Sequence, residues 1–176
     1  GDFEGADAIL ALPPAQGLQP SRRTVIAHTQ VLAQLGRPQD AIALIDQTFP
    51  GTPEPVLAAL RAGLAAGQPT PFTLVRNPAG GLAEAFYSVA GAILDETDDA
   101  TVLFHARIAL ALDPAHVDAA FLTAQILERM EQFDLARSAY AMVPADDPSF
   151  PMAELGRAEV LRRSGDSGAA IEVLSA

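Results

Sequence analysis

The sequence predicts an all-α chain, a solenoid of antiparallel helix pairs, and three observations carry that reading. Ala136 and Ala170 lie thirty-four residues apart, each in the second half of a helix-turn-helix pattern, and Pro114 and Pro148 repeat the interval at the turn before the next unit. Apolar residues recur at helical spacing on both sides of short turns. Much of the 49% hydrophobic fraction is alanine, which favours helix and lets helices approach closely without a bulky core. A fixed period of this size marks units that cannot bury their own apolar faces and must stack on their neighbours.

The clearest unit runs from about His116 to Ser149. Its first helix holds the apolar pattern of Asp118 to Leu127, Met130-Glu131-Gln132 makes the turn, and Phe133 to Val143 resumes the period. The next unit copies it. Ala158 follows Ala124 by thirty-four residues, Leu161 follows Leu127, and Ser164-Gly165-Asp166-Ser167 forms the turn. One step earlier, Ala90 and Ile93 hold the same phase, and Asp113-Pro114 closes a helix that starts near Ala100. Gly36-Arg37-Pro38-Gln39-Asp40-Ala41 is the turn of another unit, and Gly1 to Ala6 repeats its form thirty-five residues before. The chain is therefore expected to open at the second helix of a unit and to be a piece of a longer protein. The expected organisation is one solenoid over 1–176, with a partial repeat at 1–21, repeats at about 22–55, 56–82, 83–116 and 117–150, and a partial repeat at 151–176.

These positions resemble the tetratricopeptide repeat family. Ala124, Phe133, Ala136, Tyr140 and Pro148 match its pattern in one unit, and Ala158, Gly165, Ala170 and Leu174 in the next. Gly36, Ala41, Ile45 and Pro53 match near the start, with Gly1, Phe3, Ala6 and Leu10 before them. The resemblance implies a right-handed superhelix whose first helices line a concave groove, and a non-enzymatic role in holding other proteins. Two departures stand out. Thr97 takes the place of the turn glycine in Asp95-Glu96-Thr97-Asp98-Asp99, and Val102 and Ala106 replace the usual pair in the helix that follows.

The larger departure is the stretch from Gly67 to Pro78, where Pro69, Pro71 and Pro78 interrupt what should be a second helix. A proline inside a helix costs about 3 kcal/mol, so an extended or single-turn segment is expected, giving one irregular repeat near 67–80. That unit is about seven residues short of the period, and the next starts early, near Leu82, with Pro78-Ala79 as a helix-start signal. Such a unit bends the array, marks a special surface, or is simply tolerated.

Charge and composition narrow the function. A net charge of −11 lacks the basic face that nucleic acid or an acidic membrane surface requires. All eleven fixed cations are arginine, and the absence of cysteine removes disulfides, thiolate metal sites and cysteine nucleophiles. No run of apolar residues is long enough to span a bilayer. The start Gly1-Asp2-Phe3 shows no secretory pattern, so cytoplasm and periplasm both stay open. His28, His105 and His116 fall in different units without a zincin-like partner, so no metal site is expected. Gly80-Gly81 lacks the spacing and the lysine of a phosphate loop, and no serine sits in a nucleophile elbow. Asp98-Asp99 and Asp146-Asp147 read as acids beside helix starts. Neither catalytic residues nor a cofactor are expected.

The family geometry then nominates a groove. Ile26, Leu60, Tyr87, Phe121 and Leu155 hold equivalent positions in the first helices, followed by Gln125, Glu128 and Arg129, then Glu159, Arg162 and Arg163. The result would be an apolar stripe flanked by mixed charge, fit for the apolar face of a partner helix or an extended peptide, with arginines pairing partner carboxylates. The same side chains also suit packing between helices, with weak cross-repeat pairs such as Glu128 with Arg162. A carboxylate clamp of the chaperone-tail type is unlike this chain, which has no lysine and whose only asparagine, Asn77, lies in the irregular stretch. Three function classes follow: an interaction scaffold for another protein or peptide, a self-assembly module, or the helper region of an enzyme whose active site lies elsewhere. By analogy, bacterial envelope and secretion-assembly factors carry such arrays.

Overall fold

The computed structural model describes residues 1–12, 21–51 and 54–175. Residues 13–20 of the expected partial repeat 1–21, Thr52, Pro53 and Ala176 lie outside the described residues. The described chain is all-helical, with no strand. Its helices are α1 (Phe3–Leu10), α2 (Arg22–Gln34), α3 (Pro38–Thr48), α4 (Pro55–Ala65), α5 (Pro78–Ala92), α6 (Asp99–Leu112), α7 (Val117–Arg129), α8 (Phe133–Tyr140), α9 (Phe150–Arg163) and α10 (Ser167–Ser175). They form two compact units, Gly1–Arg76 and Asn77–Ala176.

Helix boundaries follow local chemistry. Ser21 opens α2 with a reciprocal cap, its Oγ accepting from the Thr24 backbone N–H while Thr24 Oγ1 accepts from the Ser21 N–H. Prolines at 38, 55 and 78 start α3, α4 and α5, where a missing N–H costs nothing. The helices α2, α4, α7 and α9 end on the same turn: residues Gly36, Gly67, Glu131 and Gly165 take positive φ, and the next N–H returns to a carbonyl five residues back. Glu131 holds a backbone better suited to glycine, at φ 58°. The turn between α5 and α6 has no such residue, in keeping with Thr97 in the glycine place. There Asp98 caps α6, its Oδ1 accepting from the Thr101 N–H at 3.0 Å.

One boundary differs from the expected one. Helix α8 stops at Tyr140, three residues before Val143, because Pro144 disfavours helical backbone at Val143, whose side chain stays buried. Helix α5 starts at Pro78, at the expected helix-start signal, on an Asn77 cap whose Oδ1 accepts from the Gly80 N–H at 2.8 Å.

Within Gly1–Arg76, α1 packs on α2, α2 on α3 and α3 on α4. The core joins Val25, Ile26, Ile45 and Leu57, with a second cluster of Leu32, Ala41 and Leu64. Helix α1 buries no residue of its own. Half-buried Phe3 and polar contacts hold it: the Asp7 carboxylate accepts from His28 Nε2 and from the Arg37 guanidinium, each at 2.7 Å. These partners, the His28 hydrogen bond first, hold the Asp7 carboxyl below its ordinary value.

The stretch after Gly67 is non-helical, as its prolines require, and α2 fastens it through two glutamines one turn apart. Gln30, almost fully buried, donates to Thr73 Oγ1 at 3.0 Å and accepts from the Thr73 N–H at 2.8 Å. Gln34 donates to the Thr70 carbonyl at 2.6 Å. Leu74 then packs against the Val25–Ile26–Ile45–Leu57 cluster.

Within Asn77–Ala176, each of α5 to α10 packs on the next. The repeat-phase alanines Ala90, Ala124, Ala136, Ala158 and Ala170 are all buried. Two equivalent joints solve one packing problem in opposite ways. Between α6 and α7 a small Ala106 and a large Leu122 share a buried cluster with Val102 and Ile126. One repeat on, the large residue is Tyr140 of α8, and the small one is Gly156 of α9, where a Cβ would meet the Tyr140 ring at 2.5 Å. Side-chain volume is exchanged across the joint and the space stays filled.

Candidate functional site

The nominated groove residues divide by burial. Ile26 is buried at 5% exposure in the core of its unit, and Leu60 lies half-buried against that core. Tyr87 and Phe121 are half-buried against the main core of the second unit. Tyr87 meets His116 at 4.9 Å with the rings tilted, and Phe121 meets Tyr140 edge-on at 5.8 Å. Leu155 differs from all four, with 60% of its surface exposed. It belongs to one face of α9 with Met152, Glu159 and Arg162, all exposed, at helical spacing. Packing thus takes up four of the five apolar positions, and an open apolar surface survives on α9.

The charged positions are mostly engaged within the chain. Arg162 holds Glu159 through two hydrogen bonds of 2.8 and 2.6 Å, which keep the Glu159 carboxyl below its ordinary value. Arg129 pairs with Asp99 at 2.6 Å. Glu128 accepts from the Tyr140 hydroxyl at 2.7 Å and from Arg163 at 3.0 Å, so its cross-repeat partner is Arg163 and not Arg162. The substitution has a plain cause: Arg162 is already closed on Glu159 in its own helix, while Arg163 also lies 4.9 Å over the Phe133 ring. Burial, then the neighbouring Glu128, push the Tyr140 phenol well above its ordinary value. Gln125 is exposed on α7. These ion pairs sit at or near the surface, where each contributes about 0–1 kcal/mol and exchanges readily with a partner's charges.

The fold is similar to that of MamA. Two solved structures titled as MamA align with 99% of this chain at TM-score 0.50 and 19% identity, covering 80% and 86% of their own chains. MamA 41-end from Desulfovibrio magneticus RS-1 aligns at TM-score 0.48 and 18% identity, with 99% of this chain and 83% of that one covered. No family model matches the sequence, and no curated protein matches it. At this identity the likeness bears on the fold alone.

The three histidines occupy structural positions. His28 joins Asp7, and His105 Nδ1 lies 2.9 Å from the Thr101 carbonyl one turn back. His116, buried, caps α7 by accepting from the Ala119 N–H on Nδ1, which leaves Nε2 to face Glu84 at 3.3 Å. Among the described residues no three His, Asp or Glu side chains gather as a metal site would require, and no helix is long and apolar enough to cross a membrane. The glutamine pair on α2 escaped the sequence reading. Its signal was present as Gln30 and Gln34, two amides four residues apart on a helix with Val31 and Leu32 buried beside them.

Proposed function

We propose that this chain is a non-enzymatic interaction scaffold of the tetratricopeptide type, with repeats at about 22–55, 56–82, 83–116 and 117–150 and partial repeats at either end. The observation that carries the reading is the α9 face: Met152 at 50% and Leu155 at 60% exposure, continued by the exposed Glu159–Arg162 pair. An apolar pair bordered by exchangeable charge suits the apolar side of an amphipathic helix or an extended peptide. The nominated Tyr87, Phe121, Gln125 and Arg129 belong to the same first-helix series, and the Glu128–Arg163 pair joins α7 to α9. The test compares Leu155→Asp and Met152→Asp with the parent chain in co-purification from source cells. Loss of a retained protein at unchanged melting temperature supports the α9 face, and undiminished retention sinks it.

A second reading, self-association, draws on α10. Ile171 and Leu174 are 66% and 59% exposed on one face, and Leu174 stands in the repeat phase of the buried Tyr140. A face built like an inter-repeat joint suits another copy of the chain. Light scattering across a concentration series tests it, and a monomer at every concentration removes it.

A further inference from the structure

The irregular segment that replaces a helix in Gly1–Arg76 leaves a cleft of about 680 Å³ between itself, α1 and α2. That volume lies in the range of ligand-binding clefts, roughly 300–1,000 Å³. Its apolar wall is the edge-on pair of Phe3 and Phe72, with ring centroids 6.0 Å apart, and its floor is the buried Val31. Val75, 38% exposed, completes the rim.

The polar groups of the cleft are unequal. Asp2 is committed to its own helix, where Oδ1 accepts from the Gly5 N–H at 2.8 Å. Gln34 is committed to the Thr70 carbonyl. Arg76 is exposed and makes no ion pair or hydrogen bond with the described residues. The backbone N–H groups of Val75 and Arg76, which line the cleft, likewise have no partner among the described residues, because no helix ladder forms there and the glutamines engage only Thr70 and Thr73. An open guanidinium beside open backbone donors and an aromatic wall matches a carboxylate next to an apolar side chain.

We infer that this cleft binds a short extended peptide segment of a partner protein, seating one apolar side chain against Phe3 and Phe72 and an adjacent Asp or Glu on Arg76. The site is separate from the α9 face and does not depend on it. The chain's net charge of −11 opposes a long acidic tract, so the segment carries one or two carboxylates in an otherwise neutral sequence.

The test selects a phage-displayed random heptapeptide library on the intact chain, then measures the enriched peptide, synthesised with a fluorescent label, by polarisation. Enrichment of peptides with an apolar residue within two positions of Asp or Glu is expected. Arg76→Glu should weaken the selected peptide at least tenfold and Val75→Ser about fivefold, whereas Leu155→Asp on α9 leaves it unchanged. Both cleft substitutions are at exposed positions, and a melting curve for each variant confirms the fold. Absence of enrichment over the display background, enrichment of basic peptides, or affinity indifferent to Arg76→Glu would each overturn the inference. Loss of binding on Leu155→Asp alone would assign the peptide to α9 and overturn it equally.

Discussion

The joint between α8 and α9 and the seat of the irregular segment on α2 answer the same need, closing one side of a repeat, by different physics. At the first, the Tyr140 ring fills the space left by Gly156, and the contact is apolar, close and specific in shape. At the second, a proline-bearing chain that cannot form a helix is held by amide hydrogen bonds from Gln30 and Gln34, with Leu74 as its one anchor in the core of that unit. Shape complementarity leaves no void. Hydrogen bonding to an extended backbone fixes the chain at a few points and leaves open space beside it, and that is where the cleft lies. The comparison predicts that the two regions fail differently when perturbed.

The largest effect is expected at the shape-matched joint. Tyr140→Ala removes a ring that is 6% exposed together with its hydrogen bond to Glu128, and should cost about 3–5 kcal/mol, the range for aromatic truncation in a core. Gly156→Leu should destabilise by about 1–3 kcal/mol or more through overpacking, since a Cβ alone reaches 2.5 Å from the ring. Combining the two transplants the Ala106–Leu122 arrangement of the preceding repeat. The double variant should be more stable than the sum of its parts by at least about 1 kcal/mol, as expected for residues in direct contact. Denaturant melts of the four chains measure this, and strict additivity would show that the two joints are not alternative solutions.

The same contrast explains what could be read in advance. Ala90, Ala124, Ala136 and Ala158 are legible because a repeat imposes one environment at a fixed interval, so the positions corroborate one another. The break after Gly67 is legible because Pro69 and Pro71 would fall in the interior of the helix, where proline is not tolerated. The groove is less so. Whether an apolar residue in the first helix faces outward or packs inward depends on the size of its neighbours, and Tyr87 and Leu155 share a phase but differ in burial. Glu128 pairs with Arg163 because of how Arg162 folds back on Glu159, a choice between adjacent side chains that repeat phase does not encode. The Gln30–Thr73 contact spans forty-three residues and follows no repeat rule.

At the polar seat, an intermediate effect is expected. Gln30→Ala removes two hydrogen bonds and strands the Thr73 N–H, a loss of about 1–3 kcal/mol for a buried site. Gln34→Ala removes a single bond from an exposed side chain and should cost about 0.5–1 kcal/mol. Amide hydrogen exchange gives the sharper readout. Gln30→Ala should accelerate exchange at Thr73 while α7 to α9 keep their protection, whereas Tyr140→Ala should do the reverse. Uniform acceleration by either variant would mean that the two regions do not fail separately.

The smallest effect is tied to pH and concerns α1, which also builds the cleft wall through Phe3. Because α1 buries no residue fully, Asp7 with His28 and Arg37 adds to the Phe3–Phe72 contact in seating it. The Asp7 carboxyl titrates below its ordinary value of 3.8 in the folded chain. A depressed folded value means the unfolded chain takes up the proton first. The stabilisation is therefore fully present above about pH 4 and is lost as pH falls through the lower folded value. With 21% of the Asp7 side chain exposed, solvent screening holds the contribution to about 1 kcal/mol. Asp7→Asn should thus lower stability at neutral pH by about that much, and the gap between variant and parent should close on acidification below about pH 4. Exchange protection of α1 relative to α3, followed from pH 7 downward, measures it. A gap that stays constant through the acid range would show that the carboxylate charge does not hold α1 in place, and that Phe3 reaches the cleft by backbone packing alone.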